Sequence, residues 1–540
     1  MSHRSGGATV SLALVVLGAT VACAQPSKQS VPKLVVFITV DAMRPDYLTR
    51  FAPQLTGGLA RLYRGGAFFT NAYQDHAITE TAPGHSVTMS GRFPIHTGIS
   101  ANTAGVADST VSLVDAPGIG ASPFRFQGTT LVDWLTAKDP RTRVLSVSRK
   151  DRAAILPVGK SKRPVFWYSP TGIFTTSTYY AATLPDWVKV FNARHLPASY
   201  AGKAWQLLLP DSAYSEPDSV RAEAGGAGFL FPHAEPSSPD SAAKALGDFP
   251  WMDDVTLQFA LAGVNALQLG AGPETDVLAI SLSTTDAIGH HYGPDSRELH
   301  DQILRLDRSL GTFLDSLFRL RGQKDIVVAL TADHGLTPYP EVHAHDENAG
   351  ALRVDIRPVL QRLSNSLAKA GVTGAGLTLV NGVYRGNGFS QDGGVLEIDS
   401  SALAKSKINR DSLLRALRAE FLSVKGVARA DRISELALVD TVHDKIARRW
   451  LHMFGDERKA AMVITLAAYN YWSSTPDLAQ HGSPNDSDAH VPIIFYGDRI
   501  KAGQYPEFAR VVDMAPTLAA LVQVSPQEQL DGHVLQDAIQ

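Results

Sequence analysis

Apolar runs that stop at acidic residues, alternating with segments of helical period, predict an α/β chain with a mostly parallel central sheet flanked by helices. Three observations carry that prediction. Leu34-Val-Val-Phe-Ile-Thr-Val40, Asp276-Val-Leu-Ala-Ile-Ser-Leu282 and Asp325-Ile-Val-Val-Ala-Leu-Thr331 are continuous and rich in β-branched residues, as strands covered on both faces are. Leu299, Ile303, Leu306, Leu310, Phe313 and Leu317 recur at steps of three and four, which lays one apolar stripe of a helix on such a sheet. Each strand also runs into an ionisable group beyond its carboxyl end, at Asp41, Asp286 and the Asp333-His334 pair, where sites form in open α/β sheets.

Taken in order, the chain begins with Arg4, an uncharged apolar run from Ala8 to Ala22, and small residues ending Ala22-Cys23-Ala24 before Gln25. This is the layout of a secretory signal peptide over residues 1–24, too short for a spanning helix. Cleavage after Ala24 would leave a periplasmic or secreted protein without cysteine, hence without disulfide or thiolate ligand. The alternative, a lipoprotein acylated at Cys23, is weaker, because Thr20-Val21-Ala22 lacks the usual leucine three residues before the cysteine. No other segment is long and apolar enough to cross a bilayer. The folded domain is expected over 33–540.

The strand at 34–40 leads through Arg44-Pro45-Asp46 into a helical crossover reaching Tyr63. Arg143-Val-Leu-Ser-Val147 is a further strand, ending just before Ser148-Arg149-Lys150-Asp151-Arg152. Residues 161–250 interrupt the alternation with an aromatic segment (Phe166-Trp167-Tyr168, then Tyr179-Tyr180) and a part rich in Ser, Pro, Ala and Gly, and read as an irregular surface excursion. The aromatic residues would either line the approach to a site or lie in the core. Gly322 ends the striped helix. Residues 338–460, with Leu377-Thr-Leu-Val380, Val395-Leu-Glu-Ile398 and a helical pattern over 411–421, read as an inserted α+β cap subdomain. Met462-Val-Ile-Thr-Leu466 and Val491-Pro-Ile-Ile-Phe-Tyr496 add two more strands. With 540 residues, 44% of them hydrophobic, there is material for a large core. A net charge of −3 argues against a nucleic-acid binder. The sequence is silent on oligomeric state, and a monomer suffices.

The most informative stretch is Ile78–Gly91. Pro83 and Gly84 break the preceding loop and His85-Ser-Val-Thr-Met89 reads as a short helix, so Thr81 falls at a helix N-terminus, where unbonded N–H groups and the helix dipole favour an anion. A threonine alkoxide needs more positive charge than a helix end supplies. Metal ions would supply it, and the sequence offers two ligand sets. Asp286 and His290, four apart on a helical turn, face one point, and His481 would complete that set from a distant loop. Asp333 and His334 would join Asp41 and the Thr81 oxygen around a second ion. Oxygen and nitrogen ligands without sulfur fit zinc, with manganese or iron as alternatives. Two such ions roughly 4 Å apart would stabilise the attacking and leaving oxygens of an in-line displacement at phosphorus, through a phosphothreonine that water then hydrolyses.

Asp41 after the first strand, Thr81-Ala-Pro-Gly-His85, Asp286-x-x-Gly-His290 with Tyr292-Gly-Pro294, Thr331-Ala-Asp-His-Gly335 and His481-Gly482 resemble the metal and nucleophile motifs of the alkaline phosphatase superfamily. Within it they are most similar to the nucleotide pyrophosphatase/phosphodiesterase-like branch and to the PafA-type alkaline phosphatases, whose nucleophile is threonine. The resemblance extends from Leu34 to Asp513-Met-Ala-Pro-Thr-Leu518 and implies an alkaline phosphatase-like fold. Asn102 resembles the asparagine that hydrogen-bonds a phosphate oxygen, and Lys150-Asp-Arg-Ala-Ala-Ile-Leu-Pro157 resembles the PafA-type monoesterase segment.

Charge separates the branches. A phosphate monoester presents two negative charges and a diester one, and Lys150 with Arg152 would match the dianion, Arg as a fork and Lys as a point charge. The resemblance therefore implies an exported two-zinc hydrolase of small-molecule phosphate monoesters. Thr81, Asn102, Lys150 and Arg152 would do the chemistry, and Asp41, Thr81, Asp286, His290, Asp333, His334 and His481 would hold the metals. The alternatives are a phosphodiesterase or nucleotide pyrophosphatase using the same metals and, less favoured, a non-catalytic phosphate-binding protein, which would need a broken ligand set. A sulfatase is disfavoured because its nucleophile is made from Cys or Ser. Each motif alone has an ordinary reading: Asp41 as a helix cap, Asp286 with His290 as a surface pair, Lys150-Asp-Arg as a solvated face. Thr79 is a rival hydroxyl, and His85 is expected to support rather than bind.

Overall fold

All seven side chains of β1 (Leu34–Val40) are buried, as a continuous apolar run demands. The computed structural model describes residues 1–3, 5–7, 31–343, 351–454, 460–475 and 478–540; the apolar run of the leader and Cys23 lie outside them. Residues 1–3 and 5–7 carry no helix or strand. Val31–Gln540 forms one unit. After β1 come β2 (Ala67–Tyr73), β3 (Val144–Ser148), β4 (Val165–Ser169), β5 (Ile173–Thr175), β6 (Asp276–Leu282) and β7 (Ile326–Thr331). The cap contributes β8 (Thr378–Val380), β9 (Val383–Gly386), β10 (Phe389–Asp392), β11 (Val395–Ile398), β12 (Val427–Arg432) and β13 (Met462–Leu466). The chain then returns with β14 (Ile493–Gly497) and β15 (Gly503–Arg510).

The main sheet has nine strands in the order β15-β2-β14-β7-β1-β6-β3-β4-β5. From β7 to β4 every pairing is parallel, while β14 runs antiparallel to both its neighbours and β5 antiparallel to β4. The fold is that expected, α/β with a mostly parallel sheet. Four of its helices position the site: α1 (Thr81–Thr88), α2 (Trp251–Ala266), α3 (Thr284–Tyr292) and α4 (Arg297–Arg321). The predicted stripe of α4 is buried throughout, and Gly322 ends it at φ +78°.

Two expectations change. The aromatic run at 166–168 begins no surface excursion; it lies in β4, where Phe166, Trp167 and Tyr168 are buried and Phe166 packs edge-on to Phe259 of α2. A strand made of consecutive large apolar residues is buried on both faces, so these rings belong to the core. Met462–Leu466 does not join the main sheet. It is a central strand of a separate antiparallel sheet, order β8-β9-β10-β11-β13-β12, whose core includes Leu360, Leu414, Phe421 and Ile464. That sheet is the cap's own. Periodicity marks a buried strand without saying which sheet buries it.

The cap is clamped to the main body by buried charge. Asp75, just past β2, receives Arg448 Nε at 2.9 Å and lies 3.6 Å from Arg449, whose Nη1 also bonds Asp486 at 2.8 Å. Ala77 and Ile78, four and three residues before Thr81, share an apolar cluster with Trp450, Val395 and Val463 of the cap.

A second buried carboxyl ties the helices beneath the site. Asp253 of α2 accepts hydrogen bonds from Thr284 N at the start of α3 (3.2 Å) and from Gln302 Nε2 of α4 (3.0 Å). Burial pushes its pKa up to about 7, against the hydrogen bonds from Thr284 and Gln302 that pull it down. A carboxyl with a raised pKa holds its proton more tightly folded than unfolded, so its contribution is whole below about pH 4 and is lost as pH rises through about 7. Unfolding midpoints of the metal-free protein are expected to fall across that window, and Asp253→Asn to flatten the fall; an unchanged slope would show that Asp253 does not titrate there.

Candidate active site

The register of the sheet brings distant residues to one level. Val40 lies beside Leu282, Thr39 beside Thr331, and Ser148 beside Ser281. Asp41, Lys150, Asp286 and the Asp333-His334 pair therefore leave neighbouring strands together at their carboxyl ends. Asp41, Asp333 and His334 are fully buried and Asp286 nearly so.

Thr81 is the first residue of α1, entered from Glu80 in an extended conformation. Pro83 in the first turn lacks an N–H that would find no partner there in any case. A Cβ on Gly84 would sit 2.1 Å from Asp333 O, so the helix start and the loop after β7 approach as closely as backbones can. His85 reinforces that junction: its Nδ1 lies 2.9 Å from Thr81 O and 3.1 Å from Asp333 Oδ2, and its Nε2 2.9 Å from Ser281 Oγ. Thr79, the rival hydroxyl, is engaged, donating to Ser483 O at 2.8 Å.

Three imidazoles are oriented alike. Nδ1 of His290 lies 2.5 Å from Ala479 O, that of His334 2.8 Å from Gly335 O, and that of His481 2.8 Å from Thr79 O. A carbonyl oxygen only accepts, so each Nδ1 carries the proton and each Nε2 presents a lone pair in the neutral ring. Those Nε2 atoms converge on carboxylates: His290 3.2 Å and His481 3.6 Å from Asp286 Oδ1, His334 3.4 Å from Asp41 Oδ1 and 3.6 Å from Asp333 Oδ2. Among the described residues, Asp41 Oδ1, Asp286 Oδ1, Asp333 Oδ2 and His334 Nε2 are buried and make no hydrogen bond, His85 Nδ1 standing 3.1 Å from Asp333 Oδ2. Unpaired acceptors facing one another in the interior are costly unless a cation lies among them. Asp286, His290 and His481 form one group with metal-ligand proximity, and Asp41, Asp286 and His334 a second. Asp286 thus belongs to both groups, where the sequence reading placed it in one, and Asp333 stands at the edge of the second.

Lys150 balances the charge. Its Nζ lies 2.5 Å from Asp41 Oδ2, 2.6 Å from Asp286 Oδ2 and 3.4 Å from Thr81 Oγ1. Burial pushes the Asp41 carboxyl up, as does Asp286 beside it, yet Lys150 and His334 outweigh both and hold it below the ordinary carboxylate range. Asp286 is held well below that range too, burial being overcome by Lys150 and His290. Burial lowers His334, but Asp333 and Asp41 raise it to about 9, whereas burial with His334 and His290 nearby keeps His481 neutral, well below its usual value.

Residues 35–362 match the family model described as type I phosphodiesterase / nucleotide pyrophosphatase. The chain is 31% identical to alkaline phosphatase PhoV of Synechococcus elongatus over 95% of this chain and 94% of that protein. It is 32% identical to alkaline phosphatase PafA of Elizabethkingia meningoseptica over 91% and 92% respectively. The chain belongs to the PafA-type alkaline phosphatases. The crystal structure of wild-type PafA superposes with a TM-score of 0.83 at 29% identity, covering 94% of this chain and 99% of that one. Murine ectonucleotide pyrophosphatase/phosphodiesterase 5 superposes at 0.53 and 14% identity, a likeness of fold alone.

In this PafA-type alkaline phosphatase Asn102 stands beside the start of α1, and Arg152 lies two residues past Lys150. Asn102 Oδ1 accepts from Ala82 N at 2.8 Å, which leaves its NH2 group as the half of the amide free to donate. Arg152 has a buried Nε without a hydrogen-bond partner among the described residues, and its Nη1 is 3.8 Å from Asp151. Two supporting carboxyls escaped the sequence reading. Glu80 accepts the Asn102 N–H at 2.6 Å, and Asp488 accepts from Ser483 N and Oγ (3.0 and 2.6 Å), holding the loop that carries His481. Glu80 could have been noticed as a carboxylate at the cap position of the Thr81 helix; Asp488 has no spacing that marks it.

Gly84→Ala is expected to lower stability by about 1–3 kcal/mol, the range for overpacking, because neither backbone at that contact can give way. Urea denaturation measures it; a loss under 0.5 kcal/mol would mean the two backbones part easily.

Proposed function

We propose that this chain is an exported, zinc-dependent phosphate monoester hydrolase that works through a phosphothreonine on Thr81. The observation that supports the reading best is the position of Lys150, whose ammonium touches both buried carboxylates and stands 3.4 Å from the Thr81 hydroxyl. A fixed cation beside the nucleophile suits a phosphoryl group with two negative charges, and Arg152 adds a second, incompletely bonded one. Export is supported by the leader at 1–24; among the described residues no helix is long and apolar enough to cross a membrane.

When bound, zinc would supply Lewis acidity to the Thr81 hydroxyl and the leaving oxygen, one ion held by Asp286, His290 and His481 and the other by Asp41, Asp333 and His334 with Thr81 Oγ1. The unpaired atoms of those side chains fit that role. In the first half-reaction Thr81 Oγ1 attacks phosphorus as the bond to the alcohol oxygen breaks. Lys150, Arg152 and the Asn102 NH2 group hold the phosphoryl oxygens, with Glu80 fixing the Asn102 backbone. In the second, water attacks the phosphothreonine from the side the alcohol has left, and inorganic phosphate departs. The rival reading, a phosphodiesterase, draws on the family model matched by residues 35–362. It leaves Lys150 and Arg152 with one negative charge fewer to meet.

The two readings part on a matched pair of substrates. The wild type is expected to hydrolyse an aryl phosphate faster than its bis-ester, Thr81→Ala to lose turnover, and Lys150→Ala and Arg152→Ala each to lose roughly ten- to hundredfold in kcat/KM on the monoester, with a smaller loss on the diester. Elemental analysis is expected to count two zinc ions per chain, and fewer in Asp286→Ala. A wild type that prefers the diester by orders of magnitude, or a Thr81→Ala variant that keeps turning over, would refute the proposal.

A further inference from the structure

Beside the metal rim, a cavity of about 410 Å³ opens between the loop carrying His481 and the cap. On one side it is lined by Glu80, His481 and Ser483, and on the other by Asp392, Tyr469 and Trp472. In the proposed reaction His481 belongs to the ligand set on the leaving-oxygen side, so this cavity is where the alcohol part of a substrate would lie, while Lys150 and Arg152 hold its phosphoryl end.

The lining is charged with one sign. Among the described residues that line the cavity there is no Lys or Arg, while Glu80, Asp392 and Asp488 contribute carboxyls. Asp488 is taken up by hydrogen bonds from Thr337 and Ser483. Glu80 Oε2 receives the Asn102 N–H. The Asp392 carboxyl receives no side-chain hydrogen bond from the described residues; burial pushes it up and Arg385, which does not line the cavity, pulls it down. The turn that carries Asp392 is seated firmly: Ile464 N donates to Gly394 O at 2.7 Å, and a Cβ on Gly394 would meet Ile464 O at 2.6 Å. Tyr469, 40% exposed, and Trp472 add aromatic rings to the same opening. Carboxylate and aromatic ring together are the groups that attract an organic ammonium and repel a second anion.

We propose that this cavity is a leaving-group subsite that favours alcohols bearing an ammonium group and disfavours those bearing a carboxylate or further phosphate, with Asp392 the residue that sets the preference. The inference rests on the monoesterase reading of Thr81. The substrate class it names is aminoalkyl phosphates.

The test compares 2-aminoethyl phosphate, 2-hydroxyethyl phosphate and carboxymethyl phosphate on the zinc-loaded full chain, as wild type, Asp392→Asn and Asp392→Lys. The intrinsic reactivities of the three esters cancel when the ratio of kcat/KM for the aminoethyl and carboxymethyl esters is compared between variants. That ratio is expected to fall by roughly threefold or more in Asp392→Asn and again in Asp392→Lys, from the Coulomb interaction of single charges about 8 Å apart near a protein surface. In the wild type it should also shrink as salt rises from about 0.01 to about 0.5 M. A ratio equal in all three proteins and indifferent to salt overturns the subsite and leaves the monoesterase reading standing. If the zinc-loaded wild type cleaves none of the monoesters but does cleave a diester, both fall together.

Discussion

The contact of the Lys150 ammonium with Asp41 and Asp286, at 2.5 and 2.6 Å, is the interaction on which the rim depends. Parallel strands in register deliver side chains from distant parts of the chain to one line, and here they deliver carboxylates. Buried carboxylates repel one another and lose their hydration, penalties that together exceed the stability of most domains unless positive charge lies among them. Lys150 answers part of that demand, and its position at the end of β3, one strand beyond β6, is what lets it reach both. Among the described residues, the atoms of Asp41, Asp286, Asp333 and His334 that make no hydrogen bond lie around it. Negative charge concentrated in this way makes these side chains candidates to hold cations.

The imidazoles show how little freedom is left for doing so otherwise. Each Nδ1 donates to a carbonyl in a different segment, Thr79, Gly335 or Ala479, so ring orientation is set by backbone and not by a metal's arrival. The carbonyl of Thr79 lies two residues before Thr81, so the loop that fixes His481 also leads into α1. That same loop carries Ala77 and Ile78 into the cap's apolar cluster. Cap packing, imidazole geometry and the placement of Thr81 are consequently coupled through residues 75–85, and a change in how the cap seats on Asp75 would be felt at Thr81.

Most of this was legible in the sequence for a physical reason. Asp41, Asp286, Asp333 and His334 each follow a continuous apolar run, and that pattern alone puts them beyond the carboxyl ends of buried parallel strands. Thr81 was legible because Pro83 and Gly84 announce a helix start. What could not be read depends on contacts between segments remote in the chain. Nothing local tells that Phe166-Trp167-Tyr168 is a sheet strand, that Met462–Leu466 pairs with the cap, that Asp286 stands between both ligand groups, or that Glu80 and Asp488 brace Asn102 and the His481 loop. β2 and β15 were missed because their exposed and buried residues do not alternate cleanly, β15 being an edge strand with most of its length exposed.

Fold alone does not choose a substrate, so the selectivity of this chain has to reside in side chains around the rim. A sheet that gathers metal ligands at its carboxyl ends is indifferent to what ester is brought to them, because the metals and the threonine act on phosphorus and its oxygens. Selectivity then has two separate seats. In the proposed reaction the number of negative charges on the phosphoryl group is met by Lys150 and Arg152, which follow β3 and belong to the main body. In the proposed subsite the identity of the alcohol is met by Asp392, Tyr469 and Trp472, which line the cavity beside the cap. The second seat belongs to an inserted subdomain with its own core, joined to the first through residues 75–85, Glu80 among them. In the proposed scheme phosphoryl charge and leaving-group charge are read by different side chains, so the free-energy effects of substituting Lys150 and Asp392 should add.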